Sequence, residues 1–73
     1  MGALGNNIFR IRTKQNMTQQ ELADKLFVTR QTVCRWEKET RIPDLTKIRS
    51  IAEVFDVSIE DLMNGESNIT DRI

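Results

Sequence analysis

Ten residues, Val28 to Glu37 (VTRQTVCRWE), carry several side chains able to recognise the edges of nucleic-acid bases. A glutamine such as Gln31 can bond adenine through N6 and N7 together, an arginine such as Arg30 or Arg35 can fork onto guanine O6 and N7, and Thr32 can offer a hydroxyl to a base edge or its methyl to thymine. On a helix, Gln31 and Thr32 fall in the first turn and Arg35 about one turn further on, so they project together. Val33 and Trp36, three apart, then form the apolar face that anchors them. By type alone the same residues make an ordinary solvated surface. What separates the two readings is the framework that holds them.

That framework reads as all-α, because helical periodicity dominates and no stretch alternates apolar and polar residues long enough for a strand. A first helix is predicted from about Asn6 to Gln15, with Ile8 and Ile11 on its inner face and Asn16 suited to a left-handed end. Thr18-Gln19-Gln20-Glu21 is a capping box that opens a second helix carrying Leu22, Ala23 and Leu26 inward. Thr29 caps a third. Only Phe27 and Val28 separate Leu26 from that cap, so the second and third helices must cross sharply and stay in contact. Pro43 interrupts the chain, Asp44 caps a fourth helix bearing Leu45, Ile48, Ala52 and Phe55, and Ser58 caps a short fifth ending near Asn64 and Gly65. The organisation is therefore an N-terminal tail over 1–5, one domain over 6–64 and a polar tail over 65–73 that is expected to fray.

Composition excludes several classes. With 73 residues the chain is at the size where one core only just suffices. Cys34 is the single cysteine and histidine is absent, so an internal disulfide, a zinc finger and a Cys-His nucleophile pair have no residues to use. No metal and no cofactor are expected. There is no phosphate-binding glycine loop, and Glu60 and Asp61, though adjacent, point different ways on a helix, so enzyme chemistry is the weakest reading. The N-terminus lacks the basic and apolar regions of a signal peptide, and nothing approaches a membrane-spanning length, which suggests a cytoplasmic protein. The net charge is zero, yet residues 1–42 hold eight basic against four acidic residues and residues 43–73 hold three against seven. A basic N-terminal half is the side on which a polyanion would bind.

Two helices joined by a tight turn, the second exposing Arg, Gln and Thr near its start, form the geometry that lays a helix in the DNA major groove. The run TQQELADKLFVTRQTVCRWEKETRIPDLTKIRSIAEVFDVSIEDLM, with Ile8, Ile11 and Arg12 before it, closely resembles the phage repressor and Cro-like (lambda-repressor-like, XRE-type) helix-turn-helix family from about Asn6 to Met63. The resemblance implies a compact five-helix domain that binds double-stranded DNA. It implies that Gln31, Thr32, Arg35 and Arg30 occupy the variable base-reading sites, Arg30 with the option of a phosphate. Gln19 matches a glutamine that contacts phosphate and braces a base-reading side chain. Thr18 opens a helix whose amides can face a phosphate. Lys38 and Arg41 match a loop that runs along the DNA backbone, where contacts set register without specifying sequence. Arg12 and Glu37 match an ion pair bridging the first and third helices.

Two positions depart from the family pattern. Phe27 stands where glycine is usual in the turn, so either the turn is rearranged or a bulky residue tolerates positive φ. Glu39 stands where a glycine often ends the recognition helix, which would lengthen that helix or add a carboxylate near DNA. Trp36 reads as core rather than as a stacking platform, and Cys34 as a small, partly buried filler. Ile59, Leu62, Met63 and Ile69 fit closing the core, binding a second subunit or lying in a loose tail.

The expected function is a sequence-specific regulator of transcription, a repressor acting as a homodimer on an inverted repeat. One reading helix covers few base pairs, and the resemblance implies pairing through the C-terminal helices. The competing expectation is an antitoxin-like or coactivator-like protein-interaction module, motivated by the acidic C-terminal half and by Phe9 and Phe27, since exposed aromatics anchor interfaces.

Overall fold

The computed structural model describes residues 3–64. It contains five helices, α1 (Leu4–Lys14), α2 (Gln19–Leu26), α3 (Arg30–Glu37), α4 (Leu45–Phe55) and α5 (Ile59–Asn64), and no strand among the described residues. The expected polar tail over 65–73, including Ile69, lies outside them.

Short-range hydrogen bonds fix where most helices begin. Thr18 Oγ1 accepts from the Glu21 N–H at 3.0 Å while Glu21 Oε1 accepts from the Thr18 N–H at 2.8 Å, completing the capping box. Thr29 accepts from the Thr32 N–H at 3.1 Å, Asp44 from Lys47 at 2.9 Å and Ser58 from Asp61 at 2.9 Å. Each such cap typically contributes about 1 kcal/mol. α1 is the exception. It starts two residues before the expected Asn6, at Leu4, and its N-cap Ala3 has no side-chain bond, so the sequence carries no cap signal there.

The first four helices close in one way. Asn16, Phe27, Glu39 and Asp56 all adopt left-handed backbone, with φ of 59, 60, 63 and 61°. The next residue in each case donates back five positions, as in Val28 N–H to Ala23 O and Thr40 N–H to Arg35 O, both 3.0 Å. This is the Schellman arrangement, which usually employs glycine at the left-handed residue. Asn16 and Asp56 are the non-glycine types that tolerate it best; Phe27 and Glu39 are not. The turn at Phe27 therefore keeps the family geometry instead of rearranging, and Phe27 is strained there. The expected lengthening of the third helix by Glu39 does not occur, because α3 ends at Glu37 and Glu39 itself takes the left-handed position.

The core comprises Ile8, Ile11, Leu22, Ala23, Leu26, Val33, Trp36, Ile48, Ile51, Ala52, Phe55 and Leu62. α1 packs on α3 and α5, α2 on α3 and α4, and α4 on α5. One expectation is corrected: Leu45 is 67% exposed, because as the first residue of α4 it projects past the edge of the core, and Ile51 packs inside in addition to Ile48, Ala52 and Phe55. Leu62 closes the core, whereas Ile59 and Met63 remain exposed.

Two long-range contacts lock α1 in place. The Asn7 side chain is buried and donates to the Leu62 and Met63 carbonyls at 2.9 and 3.2 Å, tying the end of α5 to α1. Gly5 lets α1 meet the end of α3: a Cβ there would lie 2.1 Å from the Trp36 carbonyl oxygen and 2.6 Å from Glu39 Cγ.

Candidate nucleic-acid interface

α3 owes its orientation to its buried side. Val33 is fully buried and Trp36 is 4% exposed, so the opposite side of the helix faces outward. Arg30, Gln31 and Arg35 are exposed there and Thr32 is half-buried. Trp36 belongs to the core, as its spacing from Val33 predicts. Cys34, also half-buried, sits between the two faces. The Thr32 side chain is not wholly free for a ligand, since its hydroxyl lies 2.9 Å from the hydroxyl of the capping Thr29.

Beneath this surface, Arg12 of α1 and Glu37 of α3 form a bidentate pair, with Arg12 Nε donating to Glu37 Oε2 at 2.6 Å and Nη2 to Oε1 at 3.1 Å. Nη1 donates to the Met17 carbonyl at 2.7 Å. The two side chains are only 9% and 6% exposed, and the Arg12 guanidinium also lies 5.5 Å from the centre of the Phe9 ring. Burial of that degree is sustainable because both carboxylate oxygens and three guanidinium nitrogens have partners. Gln19, the first residue of α2, extends this group outward. Its Nε2 donates to Glu37 Oε1 at 2.9 Å, and its Oε1 accepts from Arg30 Nη1 at 3.3 Å.

Most of the candidates line two open clefts. One, beside the start of α2, is lined by Arg12, Thr18, Gln19, Gln20 and Arg30 among others. The second, beyond the other side of α3, gathers Thr32, Arg35, Arg41 and Lys47 around Asp44. Lys38 follows the last residue of α3 and is exposed. Thr18, Gln19 and Arg30 thus come together, as do Thr32, Arg35 and Arg41, with Gln31 exposed on the helix that joins the two groups. The carboxylate of Glu39 turns away from this surface to accept from the Asn6 N–H at 3.3 Å.

Sequence reasoning missed Lys47, whose cue was its place three residues after the capping Asp44. It also missed Gln15, which donates to the Phe55 carbonyl at 2.8 Å at the end of α4. Among the described residues no group of side chains could hold a metal, and no helix is long and apolar enough to cross a membrane.

This arrangement of helices is matched by a family model described as helix-turn-helix, which covers residues 8–62. The chain belongs to the helix-turn-helix family. Its relatives include the HTH-type transcriptional activator BcrR of Enterococcus faecalis, 36% identical over 84% of this chain and 30% of BcrR. The HTH-type transcriptional regulator YqaE of Bacillus subtilis is 39% identical over 85% of this chain and 53% of its own length. A third relative, the regulator MJ0272 of Methanocaldococcus jannaschii, is 42% identical over 86% of this chain and 96% of its own. This helix-turn-helix chain therefore spans about half of YqaE and less than a third of BcrR. Among solved structures, the P22 c2 repressor in complex with a synthetic operator superposes with a TM-score of 0.81 at 20% identity, covering 89% of this chain and 98% of the repressor chain in that structure. The clp gene regulator ClgR of Corynebacterium glutamicum superposes with a TM-score of 0.83, also at 20% identity, covering 89% of this chain and 69% of ClgR. The five-helix lambda-repressor-like fold is thereby established, and the relatives themselves are named as transcriptional regulators.

Proposed function

We infer that this domain binds double-stranded DNA sequence-specifically and regulates transcription, with α3 in the major groove. The observation that carries the reading is the two-sided character of α3: Val33 and Trp36 are locked in the core while Arg30, Gln31 and Arg35 stand exposed on the other side. Amphipathic helices in general are anchored this way; what this one adds is that its outer side, on the second helix of a helix-turn-helix, presents side-chain types able to meet base edges. In this reading Gln31 and Arg35 contact base edges, Thr32 offers its methyl more readily than its engaged hydroxyl, and Arg30 works beside Gln19. Thr18, Gln19, Lys38, Arg41 and Lys47 contact phosphates and set register.

Neutral overall charge limits what one domain can gain from phosphate neutralisation. A homodimer on an inverted repeat supplies the rest, with half-sites about 34 to 36 Å apart, one helical turn. The exposed Ile59 and Met63 on α5 give apolar surface for such pairing through the C-terminal helices. Repression then follows from occupying a promoter.

Anisotropy titrations of a labelled cognate duplex and of random DNA test the assignment. Alanine at Gln31 or Arg35 is expected to weaken cognate binding by roughly 1 to 3 kcal/mol and random binding little. Equal losses on both duplexes would remove the base-reading role.

One observation favours a second reading as a protein-interaction module, in the manner of an antitoxin-like or coactivator-like domain. Phe27 is 92% exposed at the turn, and Ile42 is 77% exposed. Co-purification of a protein partner without salt-sensitive DNA binding would support that role instead.

A further inference from the structure

We propose that Asn7 is a specificity-determining residue for operator spacing: by holding the end of α5, it fixes the pairing surface of the domain relative to the reading helix. The proposal rests on the homodimer reading and adds what sets the distance between its two half-sites.

α1 packs on both α3 and α5, and three consecutive residues near its start make the connection. Gly5 sits against the Trp36 carbonyl near the end of α3, where no Cβ fits. The Asn6 N–H donates to Glu39, two residues beyond that end, at 3.3 Å. Asn7 donates from Nδ2 to the Leu62 and Met63 carbonyls of α5, at 2.9 and 3.2 Å. The backbone of the reading helix is thus joined to the backbone of α5 through a single short stretch of α1. Met63, whose carbonyl is held, exposes its side chain, as does Ile59, and these two give the apolar surface assigned above to pairing.

A buried amide is a poor choice if stability alone is at stake. Asn7 is fully buried, and its Oδ1 has no hydrogen-bond partner among the described residues, so the acceptor half of the amide is desolvated without compensation. An apolar residue of similar size would avoid that penalty and still fill the space. What it would not do is select one orientation of α5, a helix of six residues in which only Leu62 is buried. One buried side chain lets a short helix rotate, whereas directed bonds to two successive carbonyls admit one placement. A single buried asparagine fixes the register of a coiled coil in the same way. In a dimer joined through α5, any tilt of this helix is carried to both reading helices. One base pair is about 3.4 Å along the duplex and about 35° around it, so small tilts change which spacing fits.

The test uses the full chain and a duplex pool in which the selected half-site is repeated, inverted, at spacings on either side of the ~10 base pairs of one turn. The natural chain is expected to prefer one spacing over those one base pair away by about tenfold, comparable to the effect of a mismatched base pair. Asn7→Leu keeps similar bulk and removes both bonds. It should bind an isolated half-site within about twofold of the natural chain, as expected for a site distant from the reading residues, yet bind neighbouring spacings almost equally. A variant that was merely less stable would lose binding at every spacing in proportion and keep the preference. Asn7→Ser carries the same test should the leucine variant not fold. Residual dipolar couplings read the cause without DNA: the α5 amides should lose their single orientation relative to α3 in the variant, while those of α1 to α4 keep theirs. A spacing preference as sharp in the variant as in the natural chain, or unaltered α5 couplings, overturns the proposal alone. A natural chain with no preference among spacings overturns the homodimer reading and this proposal with it.

Discussion

Replacing Phe27 with glycine should raise the melting temperature, although it deletes a large aromatic side chain. Phe27 holds φ 60° and ψ 40°, and left-handed backbone costs an L-residue with a Cβ roughly 1 to 2 kcal/mol. The ring recovers little of this, because it is 92% exposed. Glycine removes the steric cost but enlarges the freedom of the unfolded chain, which gives back about 0.4 to 1 kcal/mol. The balance is centred on a gain of about 0.8 kcal/mol, within roughly 0 to 1.6, and for a domain of this size 1 kcal/mol corresponds to about 4 to 8 °C. A rise of about 2 to 8 °C in a circular-dichroism melt is therefore expected. Glu39→Gly provides the internal comparison. Its φ is 63°, but its carboxylate accepts from Asn6 at the otherwise uncapped start of α1, and losing that bond offsets the relief, so its melting temperature should change by less. A clear fall for Phe27→Gly would refute the reasoning and show that the ring packs usefully or that the turn is not strained.

The same melts check two further predictions. Gly5→Ala should destabilise by about 1 to 3 kcal/mol, the usual cost of overpacking, because the added methyl meets the Trp36 carbonyl oxygen at 2.1 Å and a backbone cannot swing aside. A loss below about 0.5 kcal/mol would mean that α1 shifts freely. Glu37→Ala or Arg12→Ala should each cost about 3 to 5 kcal/mol by leaving a buried charge alone, while Arg12→Met combined with Glu37→Leu should cost less than either; a double variant worse than both singles would contradict this. In DNA titrations, alanine at Lys38, Arg41 or Lys47 should weaken cognate and random binding alike and reduce the salt slope by about 1 each. A residue whose loss leaves the slope unchanged makes no phosphate contact.

The helix starts at Thr18, Thr29, Asp44 and Ser58 were legible because each depends on a hydrogen bond spanning three residues. The outward side of α3 was legible for a related reason: Val33 and Trp36 identify the inner side of the helix, and whatever alternates with them must face out. Residues acting across the fold were not. Arg12 and Glu37 are 25 positions apart and only the family pattern linked them. Gly5 and Asn7 carry no local signal, since the need for them arises from how closely α1 approaches α3 and α5. Leu45 misled because periodicity records which side of a helix a residue occupies and not where the core ends along its axis. Phe27 and Glu39 show a different limit, because the Schellman hydrogen bonds impose left-handed backbone whichever residue stands at the helix end.

The central claim, that α3 reads DNA, is most directly tested by selecting bound sequences from a random duplex pool and titrating the winner at two salt concentrations. Enrichment of an inverted repeat with half-sites about one turn apart, bound far more tightly than random DNA at both salts, is the predicted result. A pool that stays unenriched, with weak binding that vanishes as salt rises, would contradict it and leave only nonspecific attraction to phosphate.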